Sequence, residues 1–243
     1  MKQLFMLCLA FLLILSACNQ APAEPATPPP SAESTSPSPP AATEPRTQFA
    51  DAEFDAFYRD FTEAVRNQDM RFIDSILDDG IMSSFGGEPG KAYFHEYWEN
   101  EAAHHDRDLW AVLEEIDALG GGLYPAGMYD SAYGECFVAP WTYTAFSETG
   151  LDPFAHLAVI GEGVPVYEKE TAGSKVVDTL DCGFVAYHSE LRDIGPDEFV
   201  SVTTLSGTAG YVQWKYLRSP IDYRLCIEKK DDGWKLLWLV AGD

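Results

Sequence analysis

Histidines and carboxylates are concentrated in one stretch of the chain, FHEYWENEAAHHDRD, which runs from residue 94 to residue 108. These side chains are the ones that bind zinc and that act as general acids and bases. The stretch has no HExxH motif, and His95 and His105 would lie on opposite sides of a continuous helix, with His104 more than two turns from His95. The pattern favours a solvated polar segment, and a hydrolase that uses His95, His104 or Asp106 is the alternative.

The other side chains of nucleophilic type also lack partners in the sequence. Ser83 and Ser84 precede FGG without a GxSxG motif, and Cys136 has no base nearby in the chain. The glycine turns GEGVP and FGGEPGK do not place a lysine and a hydroxyl as a phosphate-binding loop does. The sequence therefore predicts a protein that is not an enzyme, with no metal and no cofactor.

Cys18 is the cysteine with the clearest chemistry. It follows LFMLCLAFLLIL, an uncharged run with the length of a signal-peptide core and too short to span a bilayer comfortably. The motif LSAC at 15–18 resembles the lipobox of bacterial lipoproteins, in which the cysteine thiol receives diacylglycerol before cleavage. This resemblance implies that residues 1–17 are removed and that Cys18 becomes an acylated first residue. Several acyl chains, palmitate among them, would hold the protein stably in the membrane.

The next segment, 18–48, is predicted to be a disordered linker. Nine of the 16 prolines lie between Ala21 and Arg46, in APAEPATPPPSAESTSPSPPAATEPR. Such a segment buries too little apolar surface to offset the entropy of folding, and it is semi-extended at ~3.1 Å per residue. We expect it to hold the folded part several tens of ångströms from its lipid anchor. The setting would be the cell envelope and, in a Gram-negative host, the periplasmic side of the outer membrane.

The chain is strongly acidic, with a formal net charge of −23. A surface of this sign repels the phosphates of nucleic acids and anionic lipid headgroups. We therefore exclude nucleic acid as a partner and expect the membrane to be reached through the lipid alone.

Residues 49–157 are predicted to form an α-rich α+β domain. In DAEFDAFYRDFTEAVRNQD the apolar residues follow one helical stripe, and further helices are predicted in DMRFIDSILDDG, ending at Gly80, in AYFHEYWENEA and in DLWAVLEEIDAL. The runs AYGECFVAPWTYTAF and FAHLAVIGEGVPVYEK are predicted to be extended.

Residues 221–243, which include YRLCIEKKDDGWKLLWLVAGD, are predicted to form a hairpin that turns at 231–233. We expect it to pair with the strands around 137–146 and to complete the sheet of the first domain. The helices, sheet and final hairpin together faintly resemble cystatin-like and NTF2-like folds.

Residues 158–220 read as the strands of a small barrel. The motif SGTAGYVQWKYL supplies a hairpin at Gly207 and Gly210, a strand through Tyr211 and a closing turn at Tyr216. This motif resembles the closing pattern of the bacterial SH3-like (SH3b) family, although Tyr167 stands where the family usually has arginine. The expected fold class is thus α+β, with N-terminal helices, a small antiparallel sheet and an SH3-like β-barrel.

A non-enzymatic binding role follows from these observations. The rings of Tyr167, Tyr187, Trp214 and Tyr216 would offer contact area for a peptide or protein, and nearby acids would favour a basic or amine-bearing one. The SH3-like resemblance implies cell-wall peptide as the first ligand to test. The alternatives are that these rings fill the barrel, or that the chain is an inhibitor or immunity protein for a secreted enzyme.

Three cysteines belong to the predicted folded part, and their spacing matches no metal or redox motif. The sequence leaves open whether two of them form a disulfide or all three are buried thiols. They are Cys136, Cys182 and Cys226.

Overall fold

The computed structural model describes residues 51–99, 107–189, 191 and 194–242. Within this part of the chain there are five α-helices and two β-sheets, which confirms the α+β class. The predicted signal peptide, Cys18 and the proline-rich linker lie outside the described residues. None of the described helices has the length and apolar character needed to cross a bilayer.

Three of the five described helices begin at an aspartate that satisfies free backbone N–H groups. The five helices are α1 (Ala52–Arg66), α2 (Met70–Ile76), α3 (Lys91–Glu99), α4 (Leu109–Leu119) and α5 (Trp141–Ser147). The carboxylates of Asp51, Asp69 and Asp108 accept hydrogen bonds from the first backbone N–H groups of α1, α2 and α4. Gly120, with φ of 64°, ends α4 because glycine adopts this left-handed backbone without strain.

The first sheet has five strands in the order β1-β12-β11-β3-β2. Its strands are β1 (Leu77–Met82), β2 (Gly122–Tyr124), β3 (Cys136–Ala139), β11 (Arg224–Lys230) and β12 (Gly233–Val240). The C-terminal hairpin β11–β12 pairs antiparallel with β3, with Leu225 opposite Ala139 and Ile227 opposite Phe137. The sheet is mixed rather than purely antiparallel, because β1 runs parallel to β12.

The two faces of this sheet are covered differently. Helices α1 to α4 cover one face, where Phe54 of α1 packs against Phe137 and Trp234 with ring centroids 5.1 and 4.6 Å apart. Because side chains alternate along a strand, Cys136 and Cys226 point to the opposite face. That face is covered by α5 and by the loop at 125–135.

The second sheet has seven strands in the order β10-β4-β7-β8-β9-β5-β6. Its strands are β4 (His156–Val159), β5 (Val164–Tyr167), β6 (Val176–Leu180), β7 (Gly183–Tyr187), β8 (Phe199–Thr204), β9 (Ala209–Gln213) and β10 (Leu217–Arg218). A 3-10 turn at Trp214–Tyr216 leads into β10. The inward residues of six of these strands form one buried cluster, so the sheet must curl around them. No pairing joins β6 to β10 among the described residues, so the sheet is open, and the SH3-like barrel stays an interpretation of the sequence.

Two secondary-structure predictions were wrong. The helix expected to run to Gly80 ends at Ile76, and β1 begins at Leu77. Asp78, Asp79 and Gly80 are poor helix formers, and pairing with β12 buries Leu77 and Ile81 in the helical core.

The second error concerns the segment after β3, which was expected to be extended. Pro140 ends β3 because it has no N–H for the sheet, and the following residues form α5. Thr142 and Phe146 are buried on one side of that helix. In TYTAF the alternation of Thr142, Thr144 and Phe146 resembles the alternation of a strand. The spacing of four residues between Thr142 and Phe146 also fits one side of a helix.

Candidate functional site

The four aromatic residues predicted to bind a ligand do not form one surface. Tyr187, Trp214 and Tyr216 pack in part against the core of the seven-stranded sheet. The Tyr187 hydroxyl also donates a hydrogen bond to the Phe154 carbonyl over 2.8 Å. These three rings contribute to the fold as well as to the surface, whereas Tyr167 is not part of this core.

Tyr167 belongs instead to an aromatic surface on the outside of the curled sheet. Its ring meets the ring of Phe199 edge to face, with centroids 5.7 Å apart. Tyr211 of β9 is directly opposite Tyr167 in the strand register, so both side chains leave the sheet on the same face. We call Tyr167, Phe199 and Tyr211, together with the adjoining Tyr216, the outer aromatic surface.

A lysine and an acid stand beside these rings. The Lys215 Nζ atom lies 5.4 Å from the centre of the Tyr216 ring and 2.8 Å from the Asp197 carboxylate. The hydrogen bond to Asp197 is the main reason why the pKa of Lys215 is raised, and the charges of Tyr216 and Tyr167 act in the same direction. The surface therefore combines aromatic faces with one cation and the exposed carboxylate of Asp197.

A second site, which the sequence did not predict, is an open groove on the face of the five-stranded sheet opposite α1 to α4. Its volume is about 210 Å³, which suits a side chain or a short chain segment better than a large ligand. We call it the tyrosine groove. It is lined by Met82, Phe85, Tyr129, Asp130, Tyr133, Tyr143, Arg224, Trp238 and Val240.

Ring contacts hold the wall of the tyrosine groove in place. Tyr129 stacks with Tyr133 at a centroid distance of 6.2 Å, and its hydroxyl donates to the Tyr143 hydroxyl over 3.0 Å. The Tyr143 ring meets Trp238 edge to face at 6.4 Å. Burial, followed by the hydrogen bond to Tyr143, raises the pKa of Tyr129 above its ordinary value, so this phenol stays protonated at neutral pH.

The charged groups of the groove are one buried cation and one acid. The Arg224 guanidinium lies over the Tyr143 ring at 4.7 Å and over the Phe85 ring at 5.5 Å. It also donates to the carbonyls of Ile221 and Gly242 over 3.0 and 2.9 Å. Arg224 therefore fixes the aromatic walls of the groove.

A buried carboxylate holds the loop that forms one side of the groove. Glu228 of β11 accepts a hydrogen bond from the backbone N–H of Gly134 and is paired with Lys230. Within the loop, Asp130 accepts from the N–H of Ala132 over 2.8 Å. The sequence signal for this site is YPAGMYDSAYGE, in which tyrosines recur among turn-forming residues without strand or helix periodicity.

The histidine and acid cluster is described only in part. His95 lies on α3 with its Nε2 3.0 Å from a carboxylate oxygen of Asp74, and both side chains are partly exposed. His104 and Asp106 lie outside the described residues. Among the residues that the structure describes, no group of three histidine, cysteine or acidic side chains is placed to hold a metal ion.

The three cysteines of the folded part are free thiols. Cys136 and Cys226 are buried beneath the tyrosine groove, on neighbouring strands, and Cys182 is partly exposed in the turn between β6 and β7. A hydrogen bond to Cys136, reinforced by burial, raises the pKa of Cys226. The sequence left open a disulfide or three buried thiols. The structure has three free thiols, of which two are buried.

No protein-family model, no curated protein and no solved structure matches this chain.

Proposed function

We propose that this chain is a lipid-anchored protein of the cell envelope that binds a peptide and has no catalytic activity. The observation that carries the binding role is the outer aromatic surface, where Tyr167, Phe199 and Tyr211 leave the sheet on one face. Aromatic rings supply large contact areas at a low cost in side-chain entropy, which is why they are enriched in binding sites.

The SH3-like interpretation of residues 158–220 belongs to this proposal. It is supported by a curled sheet with one apolar core, by the left-handed turn at Gly207 and by the 3-10 turn at Trp214–Tyr216. These features occur where the SGTAGYVQWKYL motif leads us to expect them. The outer aromatic surface is then the ligand-binding face of the SH3-like region.

The ligand class follows from the charges around the rings. Asp197 is exposed beside Lys215, and the whole chain carries a formal charge of −23. An amine-bearing peptide would be attracted to such a surface. Cell-wall peptide has this chemistry and lies in the compartment that the Cys18 motif indicates.

The anchor can be tested by replacing its acceptor. We expect Cys18→Ser to release the protein from the membrane fraction, because an unacylated chain has no other predicted membrane contact. The measurement is the distribution between membrane and soluble fractions after expression in a bacterium with lipoprotein processing. Unchanged membrane association of Cys18→Ser would contradict the anchoring proposal.

The binding role can be tested with insoluble peptidoglycan and the purified Cys18→Ser chain. We expect the protein to sediment with the polymer, and Tyr167→Ala to reduce the bound fraction by about tenfold, equivalent to ~1.4 kcal/mol. The matched control is Phe154→Ala, which removes an exposed ring from outside this surface. Protein that stays in the supernatant would exclude cell-wall peptide as the ligand.

A further inference from the structure

The outer aromatic surface already holds an ammonium group, which belongs to the chain itself. The Lys215 amine lies 2.8 Å from a carboxylate oxygen of Asp197 and 5.4 Å from the centre of the Tyr216 ring. The hydrogen bond to Asp197 is the main cause of the raised pKa of Lys215, and Tyr216 and Tyr167 act in the same direction, so both phenols lie within range of its charge. We call Asp197, Tyr167 and Tyr216 the ammonium site.

This set of groups is suited to an ammonium ion. A carboxylate binds an ammonium group through a charge-assisted hydrogen bond, and an aromatic ring attracts the same charge to its face. Lys215 makes both contacts at once, which shows that a primary amine on a flexible stem fits between the acid and the Tyr216 ring.

Backbone hydrogen bonds hold the parts of the ammonium site together. Asp197 lies in a turn at 195–198, and the N–H groups of Trp214 and Lys215 donate to the carbonyls on either side of it, over 2.8 and 2.9 Å. These bonds tie that turn to the 3-10 turn that carries Tyr216. None of them involves the Lys215 amine. The acid and the ring therefore stay in position when that amine leaves.

The ion pair that fills the site is easily opened. The side chain of Lys215 is 39% exposed and that of Asp197 is 79% exposed. Exposed ion pairs contribute little to stability, because water screens the charges and the long side chain loses entropy when it is held in one geometry. A second amine of the same chemistry can therefore replace the Lys215 amine at low cost.

We propose that the ammonium site binds the primary amine of a peptide ligand and that Lys215 is a built-in competitor, which leaves the site before the amine of the ligand enters. This inference rests on the proposed peptide-binding role of the outer aromatic surface. Asp197 is then the residue that selects an amine. Lys215 is the residue that sets how strongly a ligand must bind to displace it.

The test uses two small probes and the purified Cys18→Ser chain. The first probe is Nα-acetyl-lysine methylamide, which carries one primary amine, and the second is Nα-acetyl-norleucine methylamide, which has the same stem without the amine. Binding is measured by titration from the backbone amide NMR signals of Tyr216 and its neighbours. Because no peptidoglycan is present, this measurement does not depend on the native source of the amine.

We expect saturable shifts with the lysine probe alone. Lys215→Met should lower the dissociation constant by about threefold because the competitor is gone, and Asp197→Asn should raise it by at least about fivefold. In the Asp197→Asn background, Lys215→Met should no longer tighten binding.

The matched controls are Lys91→Met and Asp79→Asn. They make the same changes of charge in another exposed lysine–aspartate pair, 3.1 Å apart, between α3 and β1. Both controls should leave the dissociation constant of the lysine probe unchanged.

The outcomes separate this inference from the proposed function. Equal shifts with both probes, no saturable binding of the lysine probe, or a gain in Lys91→Met equal to that in Lys215→Met would overturn the ammonium site. The expected pattern in a protein that does not sediment with peptidoglycan would support the site and exclude cell-wall peptide as the source of the amine. Sedimentation that Asp197→Asn leaves unchanged would support the cell-wall ligand and overturn the site.

Discussion

At the scale of single residues, Arg218 joins the two sheets. Its side chain is only 2% exposed, and its Nε and Nη2 atoms donate to Glu115 of α4 and to the Tyr223 carbonyl, each over 2.6 Å. Nη1 donates to the Thr142 hydroxyl of α5 over 3.2 Å. Arg218 belongs to β10 of the second sheet, whereas its partners belong to the helices and the chain that leads into the first. One buried cation therefore links the second sheet to the helices and to the chain that leads into the first sheet.

This arrangement predicts a large loss of stability for Arg218→Met. Removing the guanidinium leaves the buried Tyr223 carbonyl without this donor, and among the described residues Glu115 keeps only Arg107 as a cationic partner. We expect the free energy of unfolding to fall by about 3 kcal/mol. Urea unfolding followed by circular dichroism measures the difference. The control Arg71→Met, at a side chain that is 93% exposed, should change stability by less than about 0.5 kcal/mol. A similar small change in both variants would refute the role of Arg218.

At the scale of elements, the crossing of β5 and β9 depends on a residue without a side chain. A Cβ atom on Gly210 would lie 2.7 Å from the Tyr167 carbonyl oxygen and 2.6 Å from a methyl group of Val166. The sequence explained Gly207 and Gly210 together as turn residues. Only Gly207, with φ of 92°, has the left-handed backbone of a turn, and Gly210 is needed because two strands approach closely.

Gly210→Ala is therefore expected to destabilise the second sheet. Because the clash is with backbone, it cannot be relieved by a side-chain rotation, and the expected cost is about 1–3 kcal/mol. The matched control is Gly173→Ala, where an added Cβ meets nothing within 4 Å and the backbone is not left-handed. Thermal unfolding should show a Tm lower by several degrees for the first variant and unchanged for the second. Equal Tm values would mean that β5 and β9 are farther apart than the structure has them.

At the scale of the whole molecule, buried phenols are distributed across the fold. Burial is the largest cause of a raised pKa at Tyr58 on α1, at Tyr129 in the groove and at Tyr223 between the two sheets. Each of them also has an acid or a hydroxyl as a neighbour, which raises the pKa further. The ionised form of these three tyrosines is thus disfavoured in the folded state at three separate places.

The expected consequence is a loss of stability at alkaline pH. A tyrosine in the unfolded chain releases its proton near pH ~10, whereas these three retain it in the folded state, so unfolding releases protons. The stability that these three protonated phenols contribute is fully present below about pH 10, and it is lost as the pH rises above that value. Absorbance of tyrosinate, recorded together with circular dichroism, should show part of the 12 tyrosines ionising only as the fold is lost. Reversible ionisation of all 12 in the folded protein would contradict this prediction.

The sequence by itself determined the features that depend on local order of residues. Helical stripes of apolar residues predicted α1 and α4, and alternation predicted the C-terminal hairpin, because each of these patterns is contained within a short stretch of chain. The α+β class followed from them. The apolar run and LSAC predict the anchor in the same local way.

Only the tertiary structure decided which surfaces exist. The tyrosine groove takes residues from β1, β11, β12, α5 and two loops, and the outer aromatic surface takes them from three strands and a turn, so no local spacing reveals either. For the same reason TYTAF and the end of α2 were misread: their local patterns fit more than one element. Pro140 ends β3 and lets TYTAF form a helix, and the pairing of β1 with β12 ends α2 at Ile76. A site assembled from residues far apart in the chain depends on how the sheets curl and pack, and that is a property of the whole fold.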